Sequence, residues 1–206
     1  MGAEASRRAL DAAGLKPDEL DFLICATQTP EYLFPGTGCV IQEQIGALGI
    51  GALDVRNQCT GFLYGLSIAD AYIRQGLYKR ILLVCTEMHS RGLEYTDEGR
   101  HVTVLFGDGA GAVVLGPGEG KGVLSVHLHA DGRYARDLMV EGPGFTFEPW
   151  CDPRLFEEGR HFPKMNGKAV FKEAVSCMRS VVEETLAHNS LKPEDVDRFI
   201  PHQANR

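Results

Sequence analysis

Leu15-Lys16-Pro17-Asp18-Glu19-Leu20-Asp21 returns 176 residues later as Leu191-Lys192-Pro193-Glu194-Asp195-Val196-Asp197, with four of the seven positions identical and the other three near-synonyms. Each copy follows a helix-like stretch, Ala3 to Ala13 in one case and Phe171 to Asn189 in the other. Each then leads into an apolar strand, Phe22 to Ala26 and Phe199 to Ile200. A stop residue, a proline and then acids is also the ordinary chemistry of a helix end. Taken alone, the match fits either a recurrent helix ending or the duplication of a half-domain.

Between the copies, strands and helices alternate. After the first strand come a Pro-containing loop (Pro30, Pro35), a helix from about Thr37 to Leu48, a strand at Ala52 to Val55 and a helix from about Thr60 to Gly76. A strand at Arg80 to Cys85, a charged loop from His89 to His101 and strands at Val102 to Phe106 and Ala110 to Leu115 follow. This order predicts an α/β protein with a mainly parallel sheet covered by helices on both faces. Gly116 to Gly122, with Pro117, is the natural boundary between halves. A further strand is expected at Gly122 to His129, then an irregular insertion from about Asp131 to Asn166.

The 206 residues carry 21 basic and 28 acidic side chains, a net charge of −7, with 44% hydrophobic residues. That is soluble globular composition, able to form a core without disulfide or metal. The acidic balance and the absence of long Lys/Arg runs argue against nucleic acid or a membrane surface as partner. Apolar runs such as Ile81 to Cys85 are strand-sized, so no transmembrane helix is expected. Six scattered cysteines without a CxxC pair read as reduced thiols in a cytoplasmic chain, and Met1 to Leu10 lacks the apolar region of a secretory signal. Gly2 and Ser6 match the loose myristoylation pattern by coincidence, inside an Ala-rich helix.

Cys59 stands between the strand ending Leu53-Asp54-Val55 and the helix beginning Thr60-Gly61-Phe62. A helix N-terminus presents unpaired N–H groups that favour a thiolate, so this is a place for a nucleophile. Gly61 and Gly65, four apart, leave one face of that helix open to close packing. A lone cysteine is otherwise a small packing residue, which is how the remaining five are read. His202, in Pro201-His202-Gln203-Ala204-Asn205, follows the second repeat copy, where an imidazole can donate to a developing oxyanion or serve as an ordinary loop histidine. His127 and His129 share a strand face without a third ligand, and no metal site is expected. Gly107-Asp108-Gly109-Ala110-Gly111 has no helix after it, so it does not make a phosphate loop.

Phe34-Pro35, Cys59-Thr60-Gly61-Phe62, Phe106-Gly107-Asp108-Gly109-Ala110-Gly111-Ala112, His127-Leu128-His129-Ala130-Asp131-Gly132, Val170-Phe171-Lys172 and Pro201-His202-Gln203-Ala204-Asn205 together resemble β-ketoacyl-acyl-carrier-protein synthase III, in order and in spacing. The resemblance covers essentially the whole chain. The Pro-His-Gln-Ala-Asn block is specific to this branch, and the glycine-rich block is shared across thiolase-like enzymes. The resemblance implies a thiolase-like fold of duplicated βαβαβ halves, in α-β-α-β-α layers. Residues 1–116 would form most of the first half, without its first strand, and 121–206 the start of the second.

It further implies a decarboxylating condensation of a short acyl-CoA with malonyl carrier protein, without metal or other cofactor. Cys59 would be the acyl acceptor and His202, with a partner Asn, the oxyanion donor. Arg100, Phe171 and Asn205 would line the path of the CoA arm, and Lys172 would lie at the carrier-protein surface. Phe34 would reach the acyl pocket of the other subunit of a homodimer. The alternatives are a related acyltransferase of secondary metabolism or a non-catalytic partner subunit. The catalytic Asn is expected beyond Arg206 and the first strand before Met1, and the stretch 142–163 is longer than in common members. By repeat symmetry roughly 80 to 90 residues would follow and about 40 to 50 precede, so that these 206 residues alone would not turn over.

Overall fold

Phe22 to Ala26 and Ile81 to Val84 are apolar at every position, as strands covered on both faces must be. The computed structural model, which describes residues 1–120 and 122–204, places them in the middle of a sheet. Strands β1 (Phe22–Ala26), β2 (Gly51–Val55), β3 (Ile81–Met88) and β4 (Asp108–Leu115) lie in the order β2-β1-β3-β4. β1 is parallel to both neighbours, and β4 returns antiparallel along β3. Side chains alternate along a strand. Leu23, Cys25, Leu82 and Val84 therefore pack with Leu10 of α1 (Gly2–Ala13) and Ile41 of α2 (Thr37–Ile45). Phe22, Ile24, Ile81 and Leu83 pack on the other side with Leu66 and Ala69 of α3 (Gly61–Arg74). Burying each of these large side chains stabilises the sheet by roughly 1.5–3 kcal/mol.

The chain divides into two units, Met1–Met88 with Asp108–Leu128, and His89–Gly107 with His129–Arg206. The second holds α4 (Arg100–Thr103), the two-residue strands β5 (Leu138–Met139) and β6 (Lys164–Met165), α5 (Arg154–Glu157) and the long α6 (Gly167–His188). Its insertion is built around Leu155 and Glu141. Leu155 is buried, so close to Gly142 that a Cβ there would lie 2.9 Å from its Cδ1. Glu141 accepts from Arg160 Nε at 2.9 Å and Lys164 Nζ at 2.8 Å. α6 leaves Phe171, Val175 and Met178 exposed along one stripe. No described helix is long and apolar enough to cross a membrane.

The repeat is reproduced bond for bond. α1 ends at Gly14 (φ 66°) and α6 is followed by Ser190 (φ 55°), both left-handed. Leu15 N–H donates to Leu10 O at 3.0 Å, and Leu191 N–H to Leu186 O at 2.9 Å. The Lys16 N–H then donates to the Glu19 carboxylate at 2.9 Å, and the Lys192 N–H to that of Asp195 at 2.8 Å. Each closes a capping box around a single 3-10 turn, Pro17–Glu19 and Pro193–Asp195.

Three expected strands are absent. Val102 to Phe106 is instead the helical turn α4 and its exit, because Gly99 O accepts from both Val102 N–H and Thr103 N–H at 3.0 Å. β3 meanwhile runs on to Met88 and pairs directly with β4. Neither 122–129 nor 199–200 has a strand beside it among the described residues, and a strand needs a neighbour to complete its hydrogen bonds. The rings of His127 and His129 consequently do not share a strand face: His127 Nε2 meets Ser125 Oγ at 3.0 Å and His129 Nε2 meets Glu184 at 2.6 Å.

Candidate active site

The carboxyl ends of β1, β2 and β3 converge in the first unit. Thr27 N–H donates to Val55 O at 3.2 Å, extending the β1–β2 ladder by one step. After β2 the chain turns sharply. Asn57 O accepts from Thr60 N–H at 3.2 Å and from the Thr60 hydroxyl at 2.8 Å, while Asn57 Nδ2 donates back to that hydroxyl at 2.9 Å. Inside this knot Gln58 has φ 48°, a left-handed conformation that costs a non-glycine residue about 1 kcal/mol. Strain of this kind, held by surrounding bonds, is typical of functional turns. Its effect here is to set Cys59 at the mouth of α3, exposed as a residue but with its thiol partly enclosed.

α3 is held tight to the sheet. A Cβ at Gly61 would stand 2.9 Å from Ala26 Cβ, and one at Gly65 would stand 2.4 Å from Leu83 Cδ1. The two glycines thus admit side chains of the sheet, and the N-terminus of α3 sits at a fixed height above β1.

The Cys59 thiol is pushed up from its ordinary range, and partial burial is the largest cause. Its own backbone N–H pulls it down, and the Glu87 carboxylate adds a push upward. The thiolate-favouring effect expected of the helix N-terminus is therefore outweighed, since one N–H offsets less than desolvation costs. Burial pushes Cys25 much further up, with Asp54 the first of several acids that add to it. It raises Cys85 to about 11, with help from Glu87.

Phe34 lies on the loop between β1 and α2, 85% exposed, beside the exposed Tyr32 and Leu33. The loop is pinned at its end: Thr37 Oγ1 donates to Glu31 at 2.8 Å, and the Asp54 carboxylate accepts from Gly38 N–H at 3.0 Å, capping α2 from the neighbouring strand. The remaining candidates belong to the second unit. Arg100 opens α4 with its guanidinium 3.6 Å from Asp97. Phe171 and Lys172 are successive exposed residues near the start of α6, and His202 is exposed in the segment after the second repeat turn. Asn205 lies outside the described residues.

Two participants escape a reading of the sequence. Gln58 carries no signal of positive φ, because its side chain type does not favour it. Glu87 resembles any charged strand end. Its partners in the turn after β1, Gln28 and Thr29, are far away in sequence.

Residues 53–132 match the family model described as 3-oxoacyl-[acyl-carrier-protein (ACP)] synthase III. All of the chain aligns with the β-ketoacyl-[acyl-carrier-protein] synthase III of Methylococcus capsulatus at 42% identity, and with that of Acidiphilium cryptum at 46%. The chain spans about three fifths of the length of these relatives, 61% and 62% respectively. The crystal structure of 3-oxoacyl-[acyl-carrier-protein] synthase III from Aquifex aeolicus superposes with TM-score 0.86 at 38% identity, covering 100% of this chain and 61% of that one. The priming β-ketosynthase of the R1128 polyketide pathway gives TM-score 0.86 at 34% identity, with 100% and 59% coverage. The fold is the thiolase-like α/β fold of these synthases, and all of the chain is similar to about three fifths of a β-ketoacyl-[acyl-carrier-protein] synthase III.

Proposed function

We propose that the protein containing this chain condenses a short acyl-CoA with malonyl-acyl carrier protein, starting type II fatty acid synthesis. The observation that carries this reading is Cys59, lifted by the strained Gln58 turn to the mouth of α3, in a chain similar throughout to synthases of this name. In the first step Cys59 Sγ attacks the acyl-CoA carbonyl, an acyl–sulfur bond forms, and the CoA thiol leaves with the proton. In the second, the malonyl thioester loses CO2 and the resulting enolate carbon attacks the acyl-cysteine. Sγ then departs and recovers a proton, leaving a β-ketoacyl carrier protein.

The first step exchanges one thioester for another, and release of CO2 drives the second; neither changes an oxidation state that would call for a redox cofactor. His202 donates to the thioester oxygen while it carries enolate charge, together with an Asn from outside this chain. Arg100, Phe171 and Asn205 line the path of the CoA or pantetheine arm, Lys172 meets the carrier protein, and Phe34 closes the acyl pocket of a second subunit in a homodimer. Residues 1–116 and 121–206 belong to the two halves of the synthase, which works in the cytoplasm.

The likeness to the R1128 priming ketosynthase favours, as second reading, the same chemistry on a starter unit of secondary metabolism. A non-catalytic partner subunit has no use for Cys59 and His202 together. The test is mass mapping after incubation with acetyl-CoA, then product analysis with malonyl carrier protein against malonyl-CoA. It is run on the 206 residues and on the same chain joined to the remaining segments of a relative. Acyl label on Cys39 or Cys151 in place of Cys59 would sink the reading.

A further inference from the structure

The loop with the exposed tip Tyr32-Leu33-Phe34 is rooted at both ends on the last two residues of β2. At the first root Thr27 N–H donates to Val55 O at 3.2 Å. At the second root the Asp54 carboxylate takes Gly38 N–H on both oxygens, at 3.0 Å to Oδ1 and 3.2 Å to Oδ2. The Thr37 hydroxyl, donating to Glu31 at 2.8 Å, closes the loop across its neck. Thr37 and Gly38 are buried while Pro30 to Pro35 are exposed throughout, so the position of the tip is decided at its roots.

The fit of Asp54 is closer than one hydrogen bond requires. A Cβ at Gly36 would stand 2.1 Å from its Oδ2, and one at Gly38 would stand 3.0 Å from the same atom, so the carboxylate lies directly against the backbone of both glycines. Gly36 has φ −63° and ψ 151°, a conformation open to any residue. Glycine is needed there for room and not for backbone freedom. A carboxylate that only capped α2 would require the Gly38 bond and leave position 36 free to carry a side chain. The contact at Gly36 instead presses the chain against β2 two residues after Phe34.

We propose that Asp54 is a positioning residue for Phe34: by gripping Gly36 and Gly38 it fixes where the apolar tip stands on its own subunit, and through the tip it selects which acyl groups are accepted. The proposal rests on the reading of Phe34 as closing an acyl pocket. Loading of Cys59 from acetyl-CoA and from hexanoyl-CoA, followed by peptide mass mapping, tests it on the 206 residues and on the same chain joined to the remaining segments of a relative. Asp54→Ala should change the ratio of the two loading rates severalfold, in the direction taken by Phe34→Ala. A side chain that served stability alone would lower both rates together and leave their ratio unmoved. Gly36→Ala, whose methyl displaces the carboxylate without removing its charge, should move the ratio the same way. Combined with Asp54→Ala it should move the ratio no further than Asp54→Ala alone, because both act on one contact. Independently of loading, the Gly38 amide should exchange its hydrogen on the order of tenfold faster in Asp54→Ala, with the amides of α3 unchanged. Where Asp54→Ala does not fold, Asp54→Asn, of the same shape with one acceptor left, and Gly36→Ala carry both readouts. A ratio that moves with Phe34→Ala but with none of the Asp54 and Gly36 variants overturns the proposal, as does a Gly38 amide that exchanges no faster. A ratio that Phe34→Ala itself leaves unmoved overturns the reading of Phe34, and the proposal falls with it.

Discussion

Gly65→Ala adds one methyl group where α3 meets the sheet, and the effect can be worked out from distances. The new Cβ would lie 2.4 Å from Leu83 Cδ1, whereas ordinary carbon contacts begin near 3.4 Å, so something must yield by about 1 Å. Leu83 is fully buried, in the cluster that also holds Phe22, Ile24 and Leu53, so any shift of its methyl presses on packed neighbours. Forcing an extra carbon into such a site costs about 1–3 kcal/mol. Replacing a mid-helix glycine by alanine returns about 1 kcal/mol of helix propensity. The net expectation is a loss of up to about 2 kcal/mol in denaturant unfolding. The alternative to moving Leu83 is to lift α3, which carries Cys59 with it. A misplacement near 1 Å lowers acyl transfer by up to about a hundredfold, yet a small alkylating reagent needs no alignment. Acetyl loading from acetyl-CoA should therefore fall far more than iodoacetamide labelling of Cys59. Leu83→Val, by trimming the opposing side chain, should recover part of both losses when combined with Gly65→Ala. A Gly65→Ala protein as stable as the parent, loading at the parent's rate, would refute the claim that these glycines fix the height of Cys59.

His202→Ala should slow malonyl decarboxylation by on the order of 10²- to 10³-fold while sparing acyl loading of Cys59, because the oxyanion it serves forms only in the second step; equal loss of both would contradict that role. Ser190→Gly should stabilise the end of α6 by about 0.5–1 kcal/mol in denaturant unfolding, since Ser190 holds the left-handed conformation that its counterpart Gly14 adopts without strain. No gain would mean that the serine side chain offsets its own strain. Alkaline solution should destabilise the first unit. Folded thiols raised by burial stay protonated while unfolded ones ionise near pH 8.5, so stability present below that pH is lost above it, for Cys85 until about pH 11 and for Cys25 beyond. Cys25→Ala with Cys85→Ala should flatten the decline in melting temperature, and an equally steep decline would show that other groups cause it.

What could be read from the sequence was whatever one segment decides by itself. Unbroken apolar runs of strand length placed β1 and the start of β3, and the glycine at 14 and the asparagine at 189 placed the ends of two helices. Val102 to Phe106 misleads because its β-branched and aromatic residues have strand propensity. The outcome depends on bonds to residues before it: Val102 and Thr103 N–H to Gly99 O, and the Thr103 hydroxyl to Glu94 O at 2.7 Å. The alternating stretch Val123 to His129 misleads in the opposite way. Its pattern is that of a strand, but no other strand lies beside it among the described residues to pair with it, and Val123 O receives the Arg74 guanidinium at 2.7 Å instead.

The candidate site divides along the same line. Cys59 was legible because a strand, a short turn and a helix follow one another in the chain, and the helix N-terminus is a local property. The strain at Gln58 was not, since it arises from the Asn57–Thr60 knot closing around a residue with no preference for positive φ. The direction of the thiol shift was misread for a related reason. One backbone N–H belongs to the local turn, but the burial that outweighs it and the Glu87 charge that adds to it come from elements brought together only by folding. A pattern of residues can thus locate a nucleophile. How readily that nucleophile ionises is set by the burial that folding imposes on it, which no single segment of the chain decides.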